Sequence, residues 1–320
     1  MSESSDTGAT RRVLLLAHAG RAAAHAVVLE FCTSLTAQGI AVRLMAEDAA
    51  ALGLTPASFT PPLELTTSGD DAGRDCELTV VIGGDGTILR AAEVTRHSGT
   101  PILGINLGHV GFLAEAEPED LELAVEAVVQ GRYATEERMA IDVSVYHGKK
   151  LVHRTFALNE AAVEKASRQR MVDVVVGIDG RPVSRWGCDG VVCATPTGST
   201  AYNFSAGGPI VWPTVEALLI VPISAHALFA RAMVVAPSSV LAMELPDDTE
   251  PGVLWCDGRR MIELPPGARV EVRRSPTPVH LTRLRARPFT DRLVEKFALP
   301  VEGWRGAAER RRRENGDTDD

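Results

Sequence analysis

The sequence predicts an α/β domain built on a parallel sheet, then an all-β domain, then a closing helix. Three observations carry this reading. Through about the first 135 residues, short and nearly continuous apolar runs alternate with helix-like segments. After residue 136 apolar and polar residues alternate one by one around Gly turns. At 289–299 a helical spacing returns. Continuous apolar strands need cover on both faces, which flanking helices supply; one-by-one alternation marks a sheet with one buried face.

Each element follows in order. Residues 1–10 are polar and read as a disordered tail. "RRVLLLAH" (11–18) is a buried strand, "AAAHAVVLEFCTSLTAQG" (22–39) a helix closed by Gly39, and "IAVRLM" (40–45) a second strand. Residues 53–76 are rich in Pro, Thr and Gly and read as loop. "ELTVVIGG" (77–84) is a third strand, "TILRAAEVTRHSG" (87–99) a helix and "PILGIN" (101–106) a fourth strand. "PEDLELAVEAVVQGRY" (118–133) is a helix, with Pro118 near its start and acids in its first turn. "MAIDVSVYHGKKLVHRTFAL" (139–158) reads as a hairpin, and "VDVVVGIDGRPV" (172–183) as another that turns at Asp-Gly-Arg. "VLAMEL", "ARVEVRRS" and "VHLTRL" continue the all-β pattern to about residue 284, and "FTDRLVEKFAL" (289–299) is the closing helix. This divides the chain into a tail (1–10), an α/β domain (11–135), an all-β domain (136–285), a closing segment (286–300) and a charged tail (301–320).

Composition narrows the function classes. The 320 residues are 45% hydrophobic with a mean hydropathy of +0.03, a soluble globular balance. Net charge is −9 and pI about 5.5, so nucleic acid is not an expected partner. The Arg310–Arg313 run reads as a solvated tail. The five cysteines show no CxxC and read as buried thiols, not as a disulfide framework or zinc site. No apolar run approaches the ~20 residues of a membrane span, and the N-terminus lacks signal-peptide character. The chain reads as cytoplasmic, with no membrane partner.

Five stretches carry chemistry. "TVVIGGDGTILRAA" (79–92) is a strand, a glycine turn and a helix start. It is neither a Walker loop nor a GxGxxG fingerprint, because the third Gly position is Leu89. Gly84 and Gly86 let backbone amides approach a ligand, and the helix start favours an anion. Asp85 either caps the helix, accepts a proton from an attacking hydroxyl, or orients a nucleotide-borne metal. "GINLGHVGFLAE" (104–115) follows the next strand; Asn106 and His109 either donate hydrogen bonds at the carboxyl edge where ligands bind in such sheets, or belong to a bare turn. Asn159 and Glu160 form a polar pair that can read a base edge or ribose hydroxyls, or cap a turn. "CDGVVCATPTGSTAYNFSAGGPIV" (188–211) is dense in hydroxyls and glycines between apolar segments, which suits a polar nucleotide; Tyr202 can stack on a base or bond ribose. His226, in apolar surroundings, is either a satisfied core residue or a phosphate donor. No HExxH, GxSxG or clustered metal ligands occur, and no metal ligand is identified directly.

"GGDGTILRA", "GINLGHVGFLAE", "LNEAAVEK", "DGVVCATPTGSTAYNFSAGGP" and "PISAHALFARAMVV" occur in that order and together resemble the NAD kinase family, in particular its actinobacterial type. The Gly-Gly-Asp-Gly turn alone is shared with lipid and sugar kinases; the hydroxyl-rich run with the Asn-Glu pair is what separates this family from them. The resemblance implies a Rossmann-like α/β domain, a β-sandwich domain and a C-terminal segment (286–300) that returns to the first domain. It implies transfer of the γ-phosphoryl of ATP, or of polyphosphate in some members, to the 2′-hydroxyl of the adenosine ribose of NAD, with Mg2+ carried by ATP. It implies a homodimer or homotetramer. Carried over by position, Asp85 falls on the general base, and Gly84, Gly86 and Arg90 on nucleotide contacts. Asn159, Glu160, Asp189 and the run Thr200, Ala201, Tyr202, Asn203, Phe204 and Ser205 fall on the NAD site. Arg170 and His226 fall on phosphate contacts. Gly187 departs from relatives with a basic residue there, and Arg185 or Arg170 are the compensating cations at hand. A lipid or sugar kinase, or a non-catalytic nucleotide sensor, are the competing readings.

Overall fold

The structure is a computed structural model that describes residues 11–301 except 68, 70, 71, 109, 110, 117–119 and 286. His109, Pro118 and both tails, with the Arg run, lie outside the described residues.

The first half alternates as its apolar runs require. β1 (Arg12–Ala17) leads to α1 (Ala22–Ala37), β2 (Ala41–Met45) to the short α2 (Ala46–Ala51), and β3 (Glu64–Thr66) follows. β4 (Leu78–Ile82) runs into α3 (Asp85–Val94), and β5 (Ile102–Ile105) precedes α4 (Leu121–Gln130). These five strands are parallel. Along β1, Val13, Leu15 and Ala17 pack beneath α1 and α4, while Leu14 and Leu16 pack beneath α3. A strand buried on both faces must be apolar throughout, which is what "VLLLA" supplies.

β6 (Ala134–Arg138) closes this part, and a two-sheet sandwich follows. It contains β7 (Ile141–His147), β8 (Lys150–Ala157), β9 (Glu160–Lys165), β10 (Val172–Ile178), β11 (Arg181–Cys188) and β12 (Gly190–Ala194). After the one-turn α5 (Tyr202–Ser205) come β13 (Leu218–Ile223), β14 (Met233–Val235), β15 (Leu241–Glu244), β16 (Gly252–Cys256), β17 (Arg260–Leu264) and β18 (Ala268–Arg274). One sheet has the order β11-β10-β15-β18-β7-β8 and the other β14-β13-β12-β9-β16-β17. Alternate residues of both, such as Val143, Val174, Val163, Val191 and Leu254, meet in one core. β19 (Val279–Arg283) and α6 (Phe289–Phe297) complete the chain.

Several expectations need correction. "VHLTRL" does not continue the sandwich: β19 inserts into the first sheet, parallel to β5 and antiparallel to β6, giving β3-β2-β1-β4-β5-β19-β6. The segment read as loop contains β3, which pairs with β2 at the sheet edge. The helix expected at 87–99 spans Asp85–Val94, because Gly84 serves as its N-cap and Asp85 already lies in its first turn. All five cysteines are free thiols; four are buried, as expected, whereas Cys76 is only partly buried.

Candidate active site

The carboxyl ends of β1, β2 and β4 open into a cleft of about 570 Å³ lined by His18, Arg21, Asp48, Gly84, Asp85, Gly86, Thr87, Arg90 and Arg259. Two kinds of glycine build it. A Cβ on Gly83 would lie 2.5 Å from Thr87 Oγ1, and one on Gly104 2.5 Å from Ile88 Cδ1, so these two serve packing. A Cβ on Gly84 or Gly86 would meet nothing within 4 Å; the space before them is open to a ligand. Asp85 sits at the mouth. Its Oδ2 accepts the Phe112 amide at 3.0 Å and its Oδ1 the Leu113 amide at 3.2 Å. Gly111 is required by that approach, since a Cβ there would fall 2.4 Å from Asp85 Oδ1.

The cations of the cleft are partly committed. Arg90 Nη1 donates to Asp48 Oδ1 at 2.9 Å and its Nη2 to Glu47, while Asp48 also accepts the Ala17 amide at 2.9 Å. Arg21 donates to the Leu107 carbonyl at 3.1 Å. Arg259 crosses from the β16–β17 turn to reach Glu93 of α3 at 3.1 Å.

The Asn159-Glu160 pair forms a second group. The buried Asp257 of the β16–β17 turn accepts the amides of Leu158, Asn159 and Glu160 at 3.0, 2.7 and 3.3 Å. Burial pushes the Asp257 carboxyl above its ordinary pKa, against the pull of Arg260 and of these amides. β9 lies beside β12, with Glu160 opposite Ala194, so the hydroxyl-rich run departs from the strand next to the pair. Gly198 packs so closely that a Cβ would fall 2.0 Å from the Asn159 carbonyl oxygen. Glu160 is 6% exposed, and its Oε2 has no hydrogen-bond partner. Burial, then the charge of Asp257, raises its pKa to about 8, against the pull of the Tyr202 amide. Burial and a hydrogen bond to Glu164 raise the Tyr202 hydroxyl to about 12.

The remaining expected residues divide. Thr200 and Ala201 are half-buried, while Tyr202, Phe204 and Ser205 are exposed on α5. Asn203 is fully buried and donates to the Ser199 and Pro209 carbonyls at 3.2 and 3.1 Å; it staples the loop and does not face solvent. Asn106 is likewise fully buried. Asp189 pairs with Lys165, which holds its carboxyl below the ordinary range, with Ser224 and His226 nearby. His226 is exposed, so the core reading of that residue fails; its amide donates to the Gly187 carbonyl at 2.9 Å. Arg170 pairs with Glu250, and Arg185 with Asp173 at 2.7 Å. Among the described residues, neither Asp189, His226, Arg170 nor Arg185 lines the Asp85 cleft.

Sequence reasoning missed His18, Arg21, Asp48, Arg259 and Asp257. "HAGR" directly follows the first strand, and the rule that ligands gather at carboxyl ends of parallel strands could have found the first two. No local signal points Arg259 toward a helix some 166 residues away.

An oriented carboxylate beside guanidiniums, at the carboxyl edge of a parallel sheet, is an arrangement suited to the class of kinases that phosphorylate a hydroxyl. Comparison with known proteins narrows the class. The ATP-NAD kinase N-terminal domain family model matches residues 10–133, and the ATP-NAD kinase C-terminal domain model residues 158–284. A curated NAD kinase of Thermobifida fusca is 60% identical over 94% of this chain and 93% of its own. One of Rhodococcus erythropolis is 49% identical over 93% and 97%. Among solved structures, an Archaeoglobus fulgidus NAD kinase in complex with ATP superposes with a TM-score of 0.68 at 25% identity, covering 90% of this chain and all of that one. Yeast NADH kinase complexed with NADH shares the fold, with a TM-score of 0.81 at 23% identity over 93% and 90%. The chain belongs to the NAD kinase family, and the resemblance read from its motifs is borne out, as are the α/β-plus-sandwich architecture and the activity class.

Proposed function

We propose that Asp85 is the general base that takes the proton of the NAD 2′-hydroxyl as its oxygen attacks the γ-phosphorus of ATP. The new O–P bond forms as the bond to the β,γ-bridging oxygen breaks, and ADP leaves. The single observation that carries this is the Asp85 carboxylate, fixed by two loop amides at the mouth of a cleft lined by Arg21, Arg90 and Arg259. Phosphoryl transfer needs positioning and charge neutralisation more than covalent help, and the guanidiniums supply both. NAD lies along β9, held by Asn159, Glu160 and the 200–205 run, with Asn203 shaping the loop from within.

Among the described residues no group of three or more His, Cys, Asp or Glu is arranged to hold a metal ion. With Asp85 assigned the proton, Asp48 is the carboxylate of the cleft that could meet a Mg2+ carried by the ATP phosphates, and its oxygens also accept from Arg90 and the Ala17 amide. When bound, that ion neutralises phosphate charge.

The exposed Leu228, Phe229 and Val234 near His226 support burial of this edge against a second copy, in a homodimer or homotetramer; light scattering on the purified protein tests it. No helix among the described residues is long and apolar enough to cross a membrane. A cytoplasmic location is proposed on the family resemblance alone, and cell fractionation tests it. Whether polyphosphate replaces ATP is settled by offering each donor with Mg2+ and NAD.

The test of the mechanism is Asp85→Asn. NADP formation is expected to fall about 10²- to 10⁴-fold with NAD binding retained. Near-normal turnover would remove Asp85 as the base, and absence of NADP from the unaltered protein despite tight NAD binding would favour a sensor.

A further inference from the structure

We propose that Arg292 is a positioning residue for phosphoryl transfer, acting through the loop that holds Asp85. The inference rests on the reading of Asp85 as general base.

Arg292 lies on α6 and is 4% exposed. Its Nη1 donates to the Phe112 carbonyl at 3.1 Å and to the Ala114 carbonyl at 2.7 Å. The Leu113 amide, which donates to Asp85 Oδ1, belongs to the same peptide unit as the Phe112 carbonyl. Arg292 and Asp85 therefore grip opposite ends of one planar group. A peptide plane does not twist, so the direction of its N–H is set by what holds its C=O. A cation on the carbonyl also strengthens the amide as a donor, since linked hydrogen bonds polarise one another. Both effects converge on one carboxylate oxygen.

The rest of α6 reinforces the grip. The Phe112 ring packs against Phe289 and Phe297 with centroids at 5.9 and 5.8 Å. Phe297 continues to Phe204 of α5 at 4.6 Å, and Phe289 to Trp212 at 5.2 Å. One helix thus seats the loop behind the base and touches the segment assigned to the adenosine. Arg292 is also a testable position. Its carboxylate partner Glu115 keeps a second cation, Arg283, at 2.6 Å, so removing Arg292 does not strand a buried charge.

The experiment compares Arg292→Met, Arg292→Lys, Asp85→Asn and the double variant Asp85→Asn with Arg292→Met, by NADP formation and thermal unfolding. In the folded Met variant kcat is expected to fall about tenfold or more while KM for NAD and for ATP stays within about twofold, because the change acts in the transition state. Lys reaches one carbonyl and not two, and is expected to restore kcat in part. The double variant is expected to be no slower than Asp85→Asn alone, since the two residues act as one unit. Wild-type kcat in the Met variant overturns the proposal. So does a rise in KM that matches the loss of kcat, or an Arg292→Met penalty that persists undiminished without Asp85. Should the Met variant fail to fold, the Lys variant decides: intermediate kcat with unchanged KM supports the role, and wild-type kcat overturns it. Near-normal turnover of Asp85→Asn would overturn the base assignment itself, whereas loss in Asp85→Asn with an unimpaired Arg292→Met overturns only the positioning role.

Discussion

At the residue scale, the site depends on atoms that are missing as much as on those present. Gly111→Ala places a Cβ 2.4 Å from Asp85 Oδ1, and one of the two must move. We expect kcat to fall about tenfold or more with the melting temperature little changed, because the strain falls on a loop and a carboxylate rather than on the core. Steady-state kinetics beside a melting curve reads both. Glu160 offers a pH test. Its pKa of about 8 in the folded chain lies above the ~4.3 of an unfolded Glu. Between these values the folded state keeps a proton that the unfolded state has lost. Stability from this group is therefore full below the unfolded pKa, declines as pH rises and is gone above about pH 8. Glu160→Gln keeps the shape and the acceptor for the Tyr202 amide but cannot ionise. Its gain in melting temperature over the parent is expected to be smallest below about pH 4 and largest above about pH 8. A difference that does not vary with pH would place the titration elsewhere. Asp85 and its glycines were legible in the sequence because a strand, a glycine turn and a helix start are all local. The Glu160 pKa was not, because it arises first from burial in the folded chain and then from Asp257, a residue 97 positions away.

At the element scale, the turn between β16 and β17 does more than reverse the chain. Asp257 and Gly258 have φ of +55° and +62°, as a tight hairpin turn requires. That conformation turns the Asp257 carboxylate onto the amides of residues 158–160, and the Asp257 amide returns a hydrogen bond to the Glu160 carbonyl at 2.9 Å. Asp257→Ala leaves three buried amides without their acceptor. We expect a loss of about 3 kcal/mol in urea unfolding together with a raised KM for NAD, because the Asn159-Glu160 pair loses its support. Asp257→Asn, which retains one acceptor oxygen, should fall between the two. Unchanged KM in the Ala variant would show that the pair holds its own geometry. "CDGRR" holds an Asp-Gly pair of the kind that marks turns, which the sequence reading left unassigned, and what the turn touches is invisible to periodicity, which reports faces and not partners. β3 escaped for a different reason: three residues among Pro and Thr carry no period at all, and only pairing with β2 makes them a strand.

At the scale of the whole molecule, α3 ties the two halves together. The chain crosses between them near Ala140 and again before β19, and the apolar cluster at that junction joins Ala140, Leu158 and Val279 to Ile88 and Leu89 of α3. Just beyond α3, Arg96 donates to the Thr277 carbonyl and to Ser275 Oγ, both at 2.5 Å. Its guanidinium lies 4.6 Å from the centroid of the Phe156 ring, and that of Arg260 lies 4.4 Å from the same centroid. Glu93 binds Arg259 and Arg260, each at 3.1 Å. The helix that begins at the base thus ends in contacts with the sandwich that carries the Asn-Glu pair. None of this was visible in the sequence, because the partners lie as much as 181 residues apart and the period of each strand is satisfied without them. The expected consequence is cooperative unfolding. α1, α3 and α4 all belong to the first half, whereas Trp186, Trp212 and Trp255 all belong to the second. With Trp304, which lies outside the described residues, replaced by Phe, helical circular dichroism and tryptophan fluorescence follow different halves, and in that otherwise unaltered chain their urea transitions should coincide. Arg96→Ala removes the hydrogen bonds to the crossing segment and one face of the Phe156 stack, a loss of about 2 kcal/mol at the junction. The two transitions should then separate, with each half keeping its own core. Coincident transitions at a shifted midpoint would mean that the apolar cluster alone couples the halves and that Arg96 adds only stability.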